Sequence, residues 1–283
     1  MKEYTAKLFE YKEYVSGPED RFLLGESPFY NKKLDRFSWV DIIAGKLYIL
    51  ENGTRKEIDF GEPIGAAIPL DDGTFIIAGR KALWKYNVRD NEKELICDMS
   101  EHYASYQRSN DAKLDPVGRI LVGSSVEDGN SHAPSGNLFQ YSDSSLRILE
   151  ENTRISNGMA WSADSSRFFF SDSLKFSIFA YDYDIETGNA TNKQVLFSVP
   201  EDESEGITDG MTIDKDDRLW VAFWGGSRIE CRNSLTGELE AVIRVPAENV
   251  TSCYFYDDDK LFITTAGNNM TGEYDGRLFM CQI

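Results

Sequence analysis

The sequence predicts an all-β protein, a six-bladed β-propeller in which residues 1–283 form one domain. Three observations predict it: a strand-and-turn unit recurs six times, aromatic residues are abundant, and helical periodicity with capping residues is nearly absent. The unit is a turn rich in Asp, Gly and Asn, followed by a short run of β-branched or aromatic residues. It reads KLDRFSWVD (33–41), DDGTFIIAG (71–79), DPVGRILVG (115–123), ADSSRFFFSD (163–172), KDDRLWVAF (215–223) and DDDKLFITT (257–265). The strands so marked begin near Arg36, Thr74, Arg119, Arg167, Arg218 and Lys260, at the spacing of propeller blades.

A second strand follows most of these after a short connection: GKLYILE (45–51), ALWKYNV (82–88), GNLFQYS (136–142), SIFAYDY (177–183), SRIECRN (227–233) and GRLFMCQ (276–282). Each repeat therefore predicts a strand, a hairpin turn and another strand. Six repeats exhaust the chain at roughly 47 residues each, the size of a four-stranded blade. The N-terminal YTAKLFEYKEYV is expected to supply the outer strand of the last blade, hiding a sheet edge and closing the ring. The run DYDIETGNATNKQ (182–194) lacks the glycine and terminal glutamate of a calcium loop and predicts a hairpin turn.

Composition bounds the function. The 17 Phe, 14 Tyr and 5 Trp suit pleated sheets, and 41% hydrophobic residues suffice for a core. A net charge of −18 argues against nucleic acid and against anionic membrane surfaces. No apolar run approaches the roughly 20 residues that span a bilayer. The N-terminus lacks the apolar stretch of a secretory signal, and Cys97, Cys231, Cys253 and Cys281 are far apart, so a cytoplasmic protein with reduced thiols is expected.

The residues before each marked strand align as GESPFY (25–30), GAAIPL (65–70), SNDAKL (109–114), SNGMAW (156–161), TDGMTI (208–213) and TSCYFY (251–256). As loops entering the innermost strands they would open at one mouth of the central channel. Glu26, Asn110, Asn157, Asp209 and either Thr251 or Ser252 would then face one another there. Taken singly, Asn, Asp and Gly in such places are turn formers. A turn requires no glutamate at Glu26, however, and does not explain polar residues at one repeat position in four blades. Two carboxylates with amide oxygens make an all-oxygen set suited to a hard divalent cation.

These stretches resemble the regucalcin/gluconolactonase (senescence marker protein) family of six-bladed propellers. The resemblance is carried by LGESPFY (24–30), RSNDAKLDPVGRILVGS (108–124), ISNGMAWSADSSRFFFSDS (155–173), YDYDIETG (181–188), TDGMTIDKDDRLWVAFWGG (208–226) and VTSCYF (250–255), which span most of the chain. It implies Glu26, Asn157 and Asp209 as metal ligands, with Arg108 and Asn110 holding substrate oxygens. Glu127 and Asp128 fall where family members carry an acidic substrate contact. Ser109 and Ala112 depart from the family's usual aromatic and glycine.

The expected activity is hydrolysis of a sugar-type (aldono-) lactone or a related small lactone at one divalent cation. Ca²⁺ is the expected ion, with Zn²⁺, Mn²⁺ and Mg²⁺ as alternatives. Asp209 would also accept a proton from the attacking water. Rival readings are a phosphotriesterase on the same site and a non-enzymatic calcium-binding regulator. His102 and His132 lie in loop contexts without a nucleophile partner, with His132 a candidate for a lid near the mouth. There is no G-x-S-x-G elbow. Trp224, Gly225 and Gly226 are assigned to blade packing.

Overall fold

The computed structural model describes residues 1–127 and 136–283. They form six antiparallel sheets of four principal strands each. Blade 1 comprises Gly25–Asn31, Arg36–Asp41, Lys46–Glu51 and Thr54–Asp59. Blade 2 comprises Ala66–Pro69, Thr74–Ala78, Ala82–Asn87 and Glu92–Asp98. Blade 3 comprises Gln107–Leu114, Ile120–Val126, Gly136–Ser142 and Ser145–Thr153. Blade 4 comprises Ser156–Trp161, Arg167–Asp172, Ser177–Asp184 and Asn189–Ser198. Blade 5 comprises Ile207–Ile213, Arg218–Trp224, Arg228–Asn233 and Leu239–Arg244. Blade 6 comprises Asn249–Asp257, Lys260–Ala266 and Phe279–Gln282, completed by Lys7–Leu8.

Burial explains the residue choice in each layer. A blade is covered on both faces by its neighbours, so middle strands such as RFFFSD (167–172) and RLWVAFW (218–224) are almost wholly buried and apolar on both sides. Outer strands such as Glu92–Asp98 and Asn189–Ser198 are mostly exposed and polar. The innermost strands are buried yet polar, because they line the axis rather than a core.

The six segments expected as loops entering the innermost strands are themselves the innermost strands. Gly, Asn and Asp disfavour strands, and that propensity masked them. Tertiary crowding explains the glycines. A Cβ on Gly158 would lie 2.7 Å from the Asp209 carbonyl oxygen, and one on Gly210 would lie 2.8 Å from the Thr251 carbonyl oxygen. Neighbouring inner strands thus approach closely enough at the axis to require a residue without a side chain.

The inner strands pack in chain order, with that of blade 6 returning onto that of blade 1. The expected N-terminal closure occurs on blade 6 through Lys7–Leu8, which pairs antiparallel with Phe279–Gln282. In addition, Lys2–Thr5 adds a fifth, parallel strand outside Leu239–Arg244 of blade 5. The run at 182–194 forms the hairpin between Ser177–Asp184 and Asn189–Ser198. Helix is confined, among the described residues, to two three-residue 3-10 turns at Ser100–His102 and Ser173–Lys175. No helix is long and apolar enough to cross a membrane. The four cysteines are unpaired thiols.

The seam between blades 6 and 1 is an aromatic cluster. Fully buried Phe37 of blade 1 sits 4.9 Å from Phe9 of the N-terminal segment and 5.2 Å from Phe262 of blade 6, ring centre to ring centre. Phe37→Ala should therefore cost about 3–5 kcal/mol of stability. The loss would appear as a lowered midpoint in chemical denaturation.

Candidate active site

Five of the six innermost strands break register at the same level. The breaks fall between Glu26 and Phe29, Ser109 and Ala112, Ser156 and Met159, Thr208 and Met211, and Val250 and Ser252. A bulge inserts an unpaired residue and re-aims its neighbours. Glu26, Asn110, Asn157 and Asp209 sit at these bulges and are directed into one cavity. In blade 1 the bulge includes Ser27 at φ 51°, a left-handed conformation that costs a non-glycine residue energy. Its amide donates to Glu26 Oε2 at 2.9 Å, and its hydroxyl accepts from the Ala67 amide at 3.2 Å. The strained residue thus orients the glutamate and ties blade 1 to blade 2.

The cavity, about 440 Å³, opens at the channel mouth. Glu26, Arg108, Asn110, Glu127, Asn157 and Asp209 all line it, so six of the seven residues named through the family resemblance converge. The seventh, Asp128, lies outside the described residues, as does His132. Thr251 and Ser252 do not line the cavity. Thr251 instead spends its hydroxyl on the Gly25 carbonyl at 2.5 Å, helping to close blade 6 onto blade 1. His102 is exposed, against Phe139, and takes no part in the cavity. Trp224, assigned to packing, is a cavity wall. Gly226 does serve packing, since a Cβ there would lie 2.8 Å from the Phe223 Cβ and 3.0 Å from the Glu205 carbonyl oxygen.

The floor concentrates buried charge. Glu26 and Asp209 are 5% and 6% exposed. Burial pushes both carboxyls well above their ordinary range, reinforced at Glu26 by Asp209 and at both by Asp111. Burial pulls Arg108 down to about 10, which leaves it a cation at neutral pH. Its Nη1 donates to Asn110 Oδ1 at 2.8 Å, and Asn110 Nδ2 donates to the Ser156 carbonyl at 3.0 Å. Asn110 thereby positions the guanidinium and bridges blades 3 and 4. Asn157 Nδ2 donates to Ser173 Oγ at 3.1 Å, whereas Asn157 Oδ1 is buried with no hydrogen-bond partner. No three His, Cys, Asp or Glu residues cluster as a metal site among the described residues. The oxygen set here depends on an asparagine amide.

Sequence reasoning missed three supporting residues. Asp111 adds a third carboxyl below the floor, raised to about 6 by burial against the pull of Lys113. Lys113 is half-buried and reaches across the axis, donating to the Met159 carbonyl at 2.8 Å and the Met211 carbonyl at 2.5 Å. A lysine in the inner strand QRSNDAKL (107–114), which is polar almost throughout, was the available signal. Arg80 of blade 2 grips the Glu127 carboxylate through its guanidinium, a pairing between blades that leaves no mark in the sequence.

Two buried aspartates pin the mouth. In blade 1, Asp41 accepts from the amides of Leu23 (2.7 Å), Leu24 (3.2 Å) and Ala44 (3.1 Å). In blade 4, Asp172 accepts from the amides of Arg154 and Ile155, each at 3.1 Å. The two aspartates end equivalent strands, so one device recurs on opposite sides of the ring. Asp41→Ala would strand three backbone donors and should cost about 3 kcal/mol or more, at a typical 1–3 kcal/mol per orphaned group. A urea midpoint measured beside that of Asp41→Asn checks this.

The chain matches the model of the SMP-30/Gluconolactonase/LRE-like region over residues 24–267. It belongs to this family. Among relatives, it is 31% identical over 276 residues to YvrE of Bacillus subtilis (strain 168), a protein provisionally named a sugar lactone lactonase; the match covers 94% of this chain and 93% of that one. It is 30% identical to regucalcin of Xenopus laevis, covering 91% and 88% of the two chains. A regucalcin structure from Agrobacterium tumefaciens superposes with a TM-score of 0.88 at 19% identity, over 99% of this chain and 95% of that one, and so shares its fold. The family stretch begins at Leu24 and ends at Gly267, both in the mouth loops flanking the cavity.

Proposed function

We propose that this family member is a metal-dependent lactonase, hydrolysing an aldonolactone or a related small lactone to its hydroxy acid. The observation that carries the reading is the convergence of buried Glu26, Asn157 and Asp209 with buried Arg108 on the floor of one open cavity. A provisionally named sugar lactone lactonase among its relatives supports the substrate class.

A divalent cation fits the residues present. Asn157 Oδ1 is a buried acceptor with no protein donor, and Glu26 and Asp209 are buried carboxyls that repel each other. These three would hold the ion, and the all-oxygen set favours Ca²⁺ while admitting Mg²⁺, Mn²⁺ or Zn²⁺. When bound, it would polarise the lactone carbonyl and offset charge that develops on its oxygen.

The remaining steps belong to the chain. Water adds to the carbonyl carbon as Asp209 accepts its proton. The ring carbon–oxygen bond then breaks, and the proton passes from Asp209 to the departing ring oxygen, giving a hydroxyl and a carboxylic acid; the acid ionises at neutral pH and releases its own proton to solvent. Arg108, fixed by Asn110, offers its free donors to substrate oxygens and to the carboxylate that forms. Glu127, held by Arg80, faces the same space and would take a substrate hydroxyl.

Chelator-treated protein should open lactones only after a divalent cation is restored, as read by proton release with an indicator dye. Asp209→Asn should lower kcat by at least about 10²-fold, the lower bound for losing a general base. Glu26→Ala should lose the response to cation. Absence of opening above background with every cation would sink the reading. Separately, cation at a hundredfold excess over its Kd should stabilise the fold by about 2.7 kcal/mol. Thermal melts would show that gain in the native chain and not in Asn157→Ala.

A further inference from the structure

We propose that the lactone carries an alkyl side chain, and that this arm, rather than a set of ring hydroxyls, is what the upper part of the cavity recognises. The proposal rests on the lactonase reading and narrows its substrate class.

The cavity is divided by chemistry. Its polar groups gather on the floor and on blade 3, and much of their capacity is already used. Asn110 has its oxygen engaged by Arg108 and its nitrogen by the Ser156 carbonyl. Glu127 has one carboxylate oxygen, Oε1, engaged by Arg80, which leaves Oε2 for a single substrate hydroxyl. A ring hydroxylated at every carbon would need several further partners.

Above the floor the walls are hydrocarbon. Blade 1 contributes Leu23, Ile42 and Ile43, and blade 4, opposite in the ring of six, contributes Leu174. Between them blade 5 adds Ile207 and Trp224. A hydroxyl pressed against these walls would lose water and find no replacement partner. Of the polar residues that remain, Ser125 and Ser173 are buried with their hydroxyls engaged, Ser125 donating to the Val126 carbonyl at 3.3 Å and Ser173 accepting from Asn157, while Glu203, Asn268 and Asn269 are exposed at the outer edge.

The blade 1 wall is also conspicuously wet. Leu23 and Ile43 are 40% and 46% exposed, large apolar side chains left open beside the site. They cannot easily fold away, because Asp41 holds the backbone of both loops. Exposed hydrocarbon fixed at a cavity wall gains most when an apolar group covers it. That wall is continuous with the floor where the ring would react, so the group that covers it is a substituent of the ring. An alkyl arm of a few carbons on a γ- or δ-lactone fits this division.

The test is a series of δ-lactones, from δ-valerolactone through δ-hexalactone and δ-octalactone to δ-decalactone, run beside glucono-1,5-lactone with cation supplied. We expect kcat/KM to rise about three- to fourfold per methylene over the first carbons, the usual gain for burying a methylene. Octalactone should exceed gluconolactone by at least tenfold. Ile43→Asn, a change at an exposed position, should flatten the dependence on chain length, as should Trp224→Ser. A flat series, or a preference for gluconolactone, would overturn the alkyl arm and leave the lactonase reading standing. Failure to open any member would overturn the lactonase reading itself.

Discussion

Two like charges, Glu26 and Asp209, are buried together at the axis of a closed ring, and much of the local architecture answers that constraint. Burial penalises each carboxylate, Asp209 adds to the penalty at Glu26, and Asp111 adds to it at both. The protein brings counter-charge from one strand: Arg108 on the cavity side and Lys113 beneath, both from the inner strand of blade 3. Asp111, on the same strand, offsets part of that gain. Three carboxyls against two cations leave an acidic floor with an unpartnered amide oxygen, an environment to which a dication is complementary.

Geometry delivers those groups by a repeated device. Six inner strands converge, and a register break at one level in five of them turns side chains toward the axis. Glycines at 158 and 210 permit the approach that brings Asn157 and Asp209 together. At the mouth, Asp41 and Asp172 satisfy the backbone of the loops that form the walls. The groups are thus placed before a ligand arrives, which reduces the reorganisation that catalysis would otherwise require.

Stability and function meet at the seam. The chain begins by adding strands to blades 5 and 6 and then runs through an aromatic cluster into blade 1. Thr251 of blade 6 bonds the Gly25 carbonyl, next to Glu26. The position of Glu26 relative to Asp209 therefore depends on closure, because these residues belong to blades brought together only when the ring is complete.

The sequence by itself determined the number of repeats, the middle strands of each blade and the positions whose side chains reach the axis. Those features are local: hydrophobic runs bounded by turn residues, and polar residues recurring at one register position. It misjudged the inner strands as loops, because Gly, Asn and Asp lower strand propensity and only packing shows why SNG and DGM must be strands. Lys113 bonding two carbonyls across the channel, Arg80 gripping Glu127, Thr251 serving closure and Trp224 forming a cavity wall were decided by tertiary structure. Each depends on residues tens to hundreds of positions apart, and nothing in a chain's own pattern encodes which distant backbone oxygen a buried donor will meet.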